Sequence, residues 1–227
     1  MARFAVVVVL PSPATEEVKT IERGWFAAST NWRFVRRVRN ASARALCGSA
    51  WKRLAMLERK AGDAAAERAA LQQATDAYTR AEAQARASED ANLFYPALNR
   101  MALELLLNLG NKGWKGFVAD SSAGVRRSLL HKSQFDPDFW CYAGLVELDV
   151  YEALAARKLG DRLTPLAARY AALRGRVSAS TMWGSVADQA DFLLVPYAAA
   201  SSAISGTSAT ERAAALSLLK TLRGYAG

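Results

Sequence analysis

Trp51-Lys52-Arg53-Leu54-Ala55-Met56-Leu57-Glu58-Arg59-Lys60-Ala61-Gly62-Asp63 is the stretch whose reading decides the fold. Trp51, Leu54, Ala55, Met56 and Leu57 supply an apolar side at helical spacing, and the run stops at Gly62, a residue type that ends helices readily. Asp63 follows at once, with a side chain able to accept from the amides of a new first turn. Beyond it, Ala74, Tyr78 and Ala81 share one side of a second helix, where small residues admit a neighbouring helix and the tyrosine fills the gap. The stretch predicts a helix hairpin built to pack.

These residues resemble the tetratricopeptide repeat, with its Trp, its turn of Gly-Asp type, and Ala, aromatic, Ala on the second helix. Ala55 stands where that family has Gly, about two extra turns (Ala64 to Gln73) precede the Ala-Tyr-Ala stripe, and no second copy follows at the family's period. More narrowly, Gly48-Ser49-Ala50-Trp51-Lys52-Arg53-Leu54-Ala55, the alanine-rich helix and Tyr95-Pro96-Ala97-Leu98-Asn99 are similar to the repeat-containing part of bacterial effector and conflict-system proteins related to the TRAFs-binding region of eukaryotic stress-kinase regulators. The resemblance covers about half of the chain, implies a scaffold and brings no catalytic residues with it.

With 227 residues and 52% hydrophobic content, the chain can bury one sizeable core or a single stack of helices. The net charge of +9 points to an acidic partner or to nucleic acid. Its distribution says more: Arg33, Arg36, Arg37, Arg39, Arg44, Lys52, Arg53, Arg59 and Lys60 face only Glu58 among the acids in that span. The excess is a basic face on the first helices. Cys47 and Cys141 show no metal-like spacing and read as reduced thiols of a cytoplasmic protein, although spacing alone leaves a disulfide open.

Residues 1–13 combine Arg3, the apolar run Phe4 to Leu10 and Pro-Ser-Pro, which reads as a leader or a short strand, with four valines favouring extended backbone. The run is at the short limit for a secretory leader, lacks a clean cleavage site and is far too short to span a membrane. Residues 14–222 read as one helical-repeat domain and 223–227 as a frayed tail. Helices are expected from Thr15 to Ala28, from Trp32 to Ala61 with possible breaks near 40–42 or Gly48, from Ala64 to Ser88 and from Tyr95 to Leu109. Four glycines between Gly110 and Gly124 predict a flexible loop. A short helix over 125–133 and a long one from Asp138 to Leu159 follow, and Gly160-Asp161 reads as an echo of the Gly62-Asp63 turn. The next helix is expected from Thr164 to Leu173 with Pro165 in its first turn. Ser178 to Thr181 caps another that Pro196 ends or kinks, a Ser-rich loop runs to Thr210, and a last helix reaches Leu222.

His131 is the only histidine and reads as a solvent-facing residue at a helix end. Neither cysteine has a catalytic context, and Gly110-Asn111-Lys112-Gly113-Trp114-Lys115-Gly116 lacks the Gly-Lys-Ser/Thr ending of a phosphate loop. Glu104, Glu147 and Glu152 lie within apolar helices and need buried partners, with arginine the expected one. The expectation is therefore an all-α stack of antiparallel helix hairpins of tetratricopeptide-like type, seven to nine helices in all, working as a non-enzymatic scaffold or adaptor without cofactor or metal. Its partner would be a protein or peptide, acidic in character, met by Arg36, Arg37, Arg53, Tyr78 and Asn99. The alternative is RNA or DNA held by the basic segment 33–60, with Trp32 and Phe34 stacking on bases. A third reading, an enzyme, requires a pocket with convergent polar groups around Glu104, Glu147 or Cys141.

Overall fold

Gly62 takes φ +78, and Asp63 accepts from the Ala66 amide at 2.9 Å, so the turn that organises the chain forms as its residues dictate. The structure is a computed structural model that describes residues 5–8, 19–22, 41–111, 113–203 and 209–227. Before the turn lies α1 (Ala41–Ala61) and after it α2 (Ala64–Ala87). They are followed by α3 (Phe94–Leu107), α4 (Ala119–Phe135), α5 (Phe139–Ala155), α6 (Leu159–Arg176), α7 (Ser180–Ala203) and α8 (Ala209–Ala226). The fold is all-α, with eight helices among the described residues arranged as successive hairpins. No helix among the described residues is long and apolar enough to cross a membrane.

A two-stranded ladder, β1 (Ala5–Val8) against β2 (Lys19–Glu22), precedes the helices. It is antiparallel, with Ala5 opposite Glu22 and Val8 opposite Lys19. The strand reading of the valine run holds, whereas the helix expected over 15–28 is strand at Lys19–Glu22; β-branched Thr20 and Ile21 suit a ladder better than a helix. The rest of that segment, the expected helix over 32–40 and the Ser-rich residues 204–208 lie outside the described residues.

Packing follows the spacing of small residues. Gly48, inside an unbroken α1, lies so close to α2 that a Cβ there would meet the Tyr78 ring at 2.7 Å. Tyr78 is 0% exposed and stands among Ala70, Ala74, Ala77 and Ala81, which lets two alanine-lined helices approach face to face. From α3 to α5 the core is larger: Leu98, Met101, Leu105, Leu129, Val146 and Leu154 are buried together. Trp183 joins the last four helices, with its ring 5.4 Å from Phe139, 6.4 Å from Tyr170 and 5.0 Å from Tyr225, and its Nε1 donating to Val177 O at 2.7 Å.

Three stretches depart from the expected outline. The loop after Leu109 is shorter than the span to Gly124, because α4 starts at Ala119 and carries Gly124 as a buried position against the Arg86 guanidinium. Within that loop Trp114 and Phe117 stack edge to face at 5.4 Å and pack on the core. Gly160-Asp161 is no turn: α5 ends at Ala155, Arg157 takes the left-handed conformation (φ 55), and Gly160 sits inside the first turn of α6. Both Pro165 and Pro196 lie within helices that continue past them, and the tail is helical to Ala226, with Tyr225 against Trp183.

Candidate functional site

The site begins with a charge at a core position of α1. Ala45, Gly48, Lys52, Ala55 and Arg59 follow one another at steps of three and four, the spacing of a covered helix face, and Ala45, Gly48 and Ala55 are buried. Lys52 and Arg59 thus sit where apolar residues are the rule. Lys52 Nζ donates to Asn99 Oδ1 on α3 at 3.0 Å and to Gln189 Oε1 on α7. Gln189 Nε2 donates in turn to the Tyr151 hydroxyl on α5, and that hydroxyl donates to Glu147 Oε1 one turn earlier. Four helices, each the first of its hairpin, contribute to one chain of hydrogen bonds running from a cation to a carboxylate.

Arg59 strengthens the same seam. It pairs with Glu67 of α2 at 2.7 Å, donates to Phe192 O on α7 at 3.1 Å and lies 5.7 Å from the Phe192 ring, which Lys52 approaches at 4.8 Å. The last hairpin therefore returns to the first, through α1 and α7 residues 137 positions apart.

Burial decides the protonation of this chain. Loss of water lowers the Lys52 pKa to about 8, against the opposing attraction of Glu147, with Arg53 lowering it further and Asp188 raising it. Desolvation also raises the Glu147 carboxyl, opposed by the Tyr151 hydroxyl, Lys52 and Gln189. Tyr151 and Tyr170 are both pushed up by burial and by the nearby Glu147, so their hydroxyls stay protonated. Beside Glu147 lies a cleft of about 30 Å³, lined by Tyr151, Tyr170, Gln189 and apolar residues of α5, α7 and α8. That is room for one or two waters, not for a substrate of ordinary size.

Of the expected site residues, Arg53 is exposed on α1 and Asn99 belongs to the chain, donating also to Tyr95 O at 3.0 Å. Arg36 and Arg37 lie outside the described residues. Tyr78 is not a surface residue: its hydroxyl meets Ser49 Oγ at 2.8 Å inside the α1–α2 contact, because its ring is what fills the space that the alanines leave.

Glu104 and Glu152 have the arginine partners expected, Arg100 at 2.7 Å and Arg126 at 2.8 Å. Glu147 departs from that expectation, with a tyrosine hydroxyl as its direct partner and a lysine acting from further away. Cys141 is a helix-start residue: it is buried, its Sγ donates to Asp138 O at 3.0 Å, and burial raises its pKa. Cys47 and Cys141 are both free thiols, and His131 is exposed near the end of α4, its ring 4.6 Å from Phe135.

Sequence reasoning missed Gln189 and counted Lys52 merely as part of the basic face. The signal for Lys52 was its place in the Ala45-Gly48-Ala55 stripe. Gln189 carried none, since its role depends on α7 returning to α1. Among the described residues no group of three or more potential ligands is placed to hold a metal ion. No family model, curated protein or solved structure matches the chain.

Proposed function

We propose that this chain is a non-enzymatic scaffold or adaptor of tetratricopeptide-like character that holds an acidic protein or peptide segment on the face formed by α1 and α3. The observation that carries this reading is the convergence of the first helices of all four hairpins on one polar chain, which ties α1 and α3 to α5 and α7 beneath that face. Around it Arg53 and Tyr95 are exposed, and Tyr95 lies 3.1 Å from Ser49 on α1. A rigid arrangement loses little side-chain freedom on binding, and aromatic and arginine side chains are the usual anchors of such surfaces. Two free thiols agree with a reducing, cytoplasmic setting.

The test is binding of the full chain to a labelled Asp/Glu-rich peptide and to its Asn/Gln counterpart, with an RNA oligomer as competitor. The scaffold reading expects preference for the acidic peptide, weakening with salt and at least fivefold weaker binding by Arg53→Glu. Equal affinity for both peptides contradicts it. Displacement by RNA at concentrations below those of the peptide would move the basic face to nucleic acid.

A further inference from the structure

Helix α6 turns a row of like charges outward. Its buried side is Leu159, Leu166, Tyr170 and Leu173, packed against α5 and α8. Arg162, Arg169 and Arg176 recur at every seventh position, and all three are exposed. Seven residues are close to two turns, so the three side chains leave one flank of the helix at intervals of about 10 Å and drift by only about 20° per step. From Arg162 to Arg176 the chain holds no acid. The other exposed residues between them are Thr164, Pro165, Ala168, Ala171, Ala172 and Gly175. A helix face kept only for solvation carries charges of both signs and long polar side chains; here arginines rise from a low, neutral surface. Asp149 of α5 pairs with Arg169 but is shared with Arg126 of α4, so one carboxylate answers two guanidiniums.

We propose that this flank of α6 is a docking surface for an α-helix of a partner protein that bears Asp or Glu at every seventh position. Charge complementarity calls for an anionic partner, and the spacing of the row selects a helix among anions. An α-helix with acids seven apart presents them in a nearly straight line at the same interval of about 10 Å. In an extended strand, positions about 10 Å apart are three residues apart and point to opposite faces. In duplex nucleic acid, three base pairs cover a similar rise but swing the phosphate round by roughly 100°, away from a straight row. The equal drift of two seven-residue repeats is taken up by a slight left-handed coiling of one helix about the other. Pro165, Ala168 and Ala172 are short enough to let the partner's backbone come near, so that each guanidinium can meet a carboxylate with two parallel hydrogen bonds. The α1–α3 face and the α6 flank share no residue and can be tested apart.

The experiment measures binding of the full chain, at about 0.1 M salt, to two labelled helical peptides of one composition and equal helix content. One carries three glutamates at seven-residue intervals; the other carries them at five-residue intervals, which spreads them around the helix. The proposal expects about fivefold tighter binding of the first. Arg162→Glu with Arg176→Glu, checked for native helix content, should weaken that binding about tenfold, whereas Arg53→Glu should change it less than about twofold. Arg169 stays in place in this variant because it also holds Asp149 of α5. Equal affinity for the two peptides, no binding of the first at about 1 mM, or an Arg53→Glu effect as large as that of the α6 pair overturns the proposal. An RNA oligomer that displaces the first peptide at a lower concentration than the unlabelled peptide itself, and loses this power in the α6 variant, assigns the row to nucleic acid and overturns it too.

Discussion

Two carboxylates, Glu211 and Glu147, sit in the interior on opposite terms. Glu211 is 5% exposed at the start of α8, and fixed neutral donors converge on it: the Leu159 amide at 3.1 Å, the Gly160 amide at 2.7 Å and the Tyr197 hydroxyl at 2.8 Å. It closes the first turn of α6 from another helix, where unpaired amides and the helix dipole both favour a negative charge. Glu147 has one direct hydroxyl partner, a cleft beside it and a cation reached only through Tyr151 and Gln189. The difference is between a charge used as a rivet and a charge held in a titratable chain. The first ties the start of α6 and Tyr197 of α7 to α8; the second gives the α1 to α7 seam its polar character.

Removal of the rivet should have the largest effect. Glu211→Ala removes the acceptor shared by two helix-start amides and the Tyr197 hydroxyl, and about 3 kcal/mol or more should disappear from the urea unfolding free energy. A loss below about 1 kcal/mol would contradict that role for Glu211. Gly48→Ala comes next, since the added methyl meets the Tyr78 ring at 2.7 Å in a contact with no slack; roughly 1–3 kcal/mol should be lost, seen as a lower urea midpoint. Glu147→Gln should change stability at pH 7 by less than about 1 kcal/mol, because relief of a buried charge offsets the weaker hydrogen bond.

The titratable chain should also show itself against pH. Glu147 has a raised carboxyl, so the native state keeps its proton where the unfolded state has lost it, and stability falls as pH rises from the ordinary carboxylate range through the raised value. Lys52 has a lowered pKa, so between about 8 and the ordinary lysine value of 10.5 the unfolded state binds the extra proton and stability rises with pH. Lys52→Met should flatten the rise above pH 8, and Glu147→Gln the fall at acid pH. Chemical denaturation at closely spaced pH values checks both, and unchanged profiles would remove the chain's electrostatic role.

Local chemistry was legible and returning contacts were not. Gly62-Asp63 was read correctly because a left-handed glycine and a capping carboxylate act within a few residues. The same dipeptide at Gly160-Asp161 misleads, since Gly160 is small to admit Thr210 and Glu211, a Cβ there meeting Thr210 Cγ2 at 2.9 Å, while Arg157 makes the turn. Pro196 does not end α7, because Leu193, Leu194, Tyr197 and Ala198 are buried on both sides of it and tertiary packing outweighs one lost hydrogen bond. Of the candidate site, Asn99 and Glu147 could be singled out from the sequence. Their connection through Gln189 could not, since it spans most of the described helices.

The most direct test of the seam is a double-mutant cycle on Lys52→Met and Gln189→Leu, read by urea denaturation at pH 7. If α7 returns to α1 as described, the two substitutions couple by about 1 kcal/mol or more, although they lie 137 residues apart. Effects that add within about 0.3 kcal/mol would contradict the junction and the polar chain built on it.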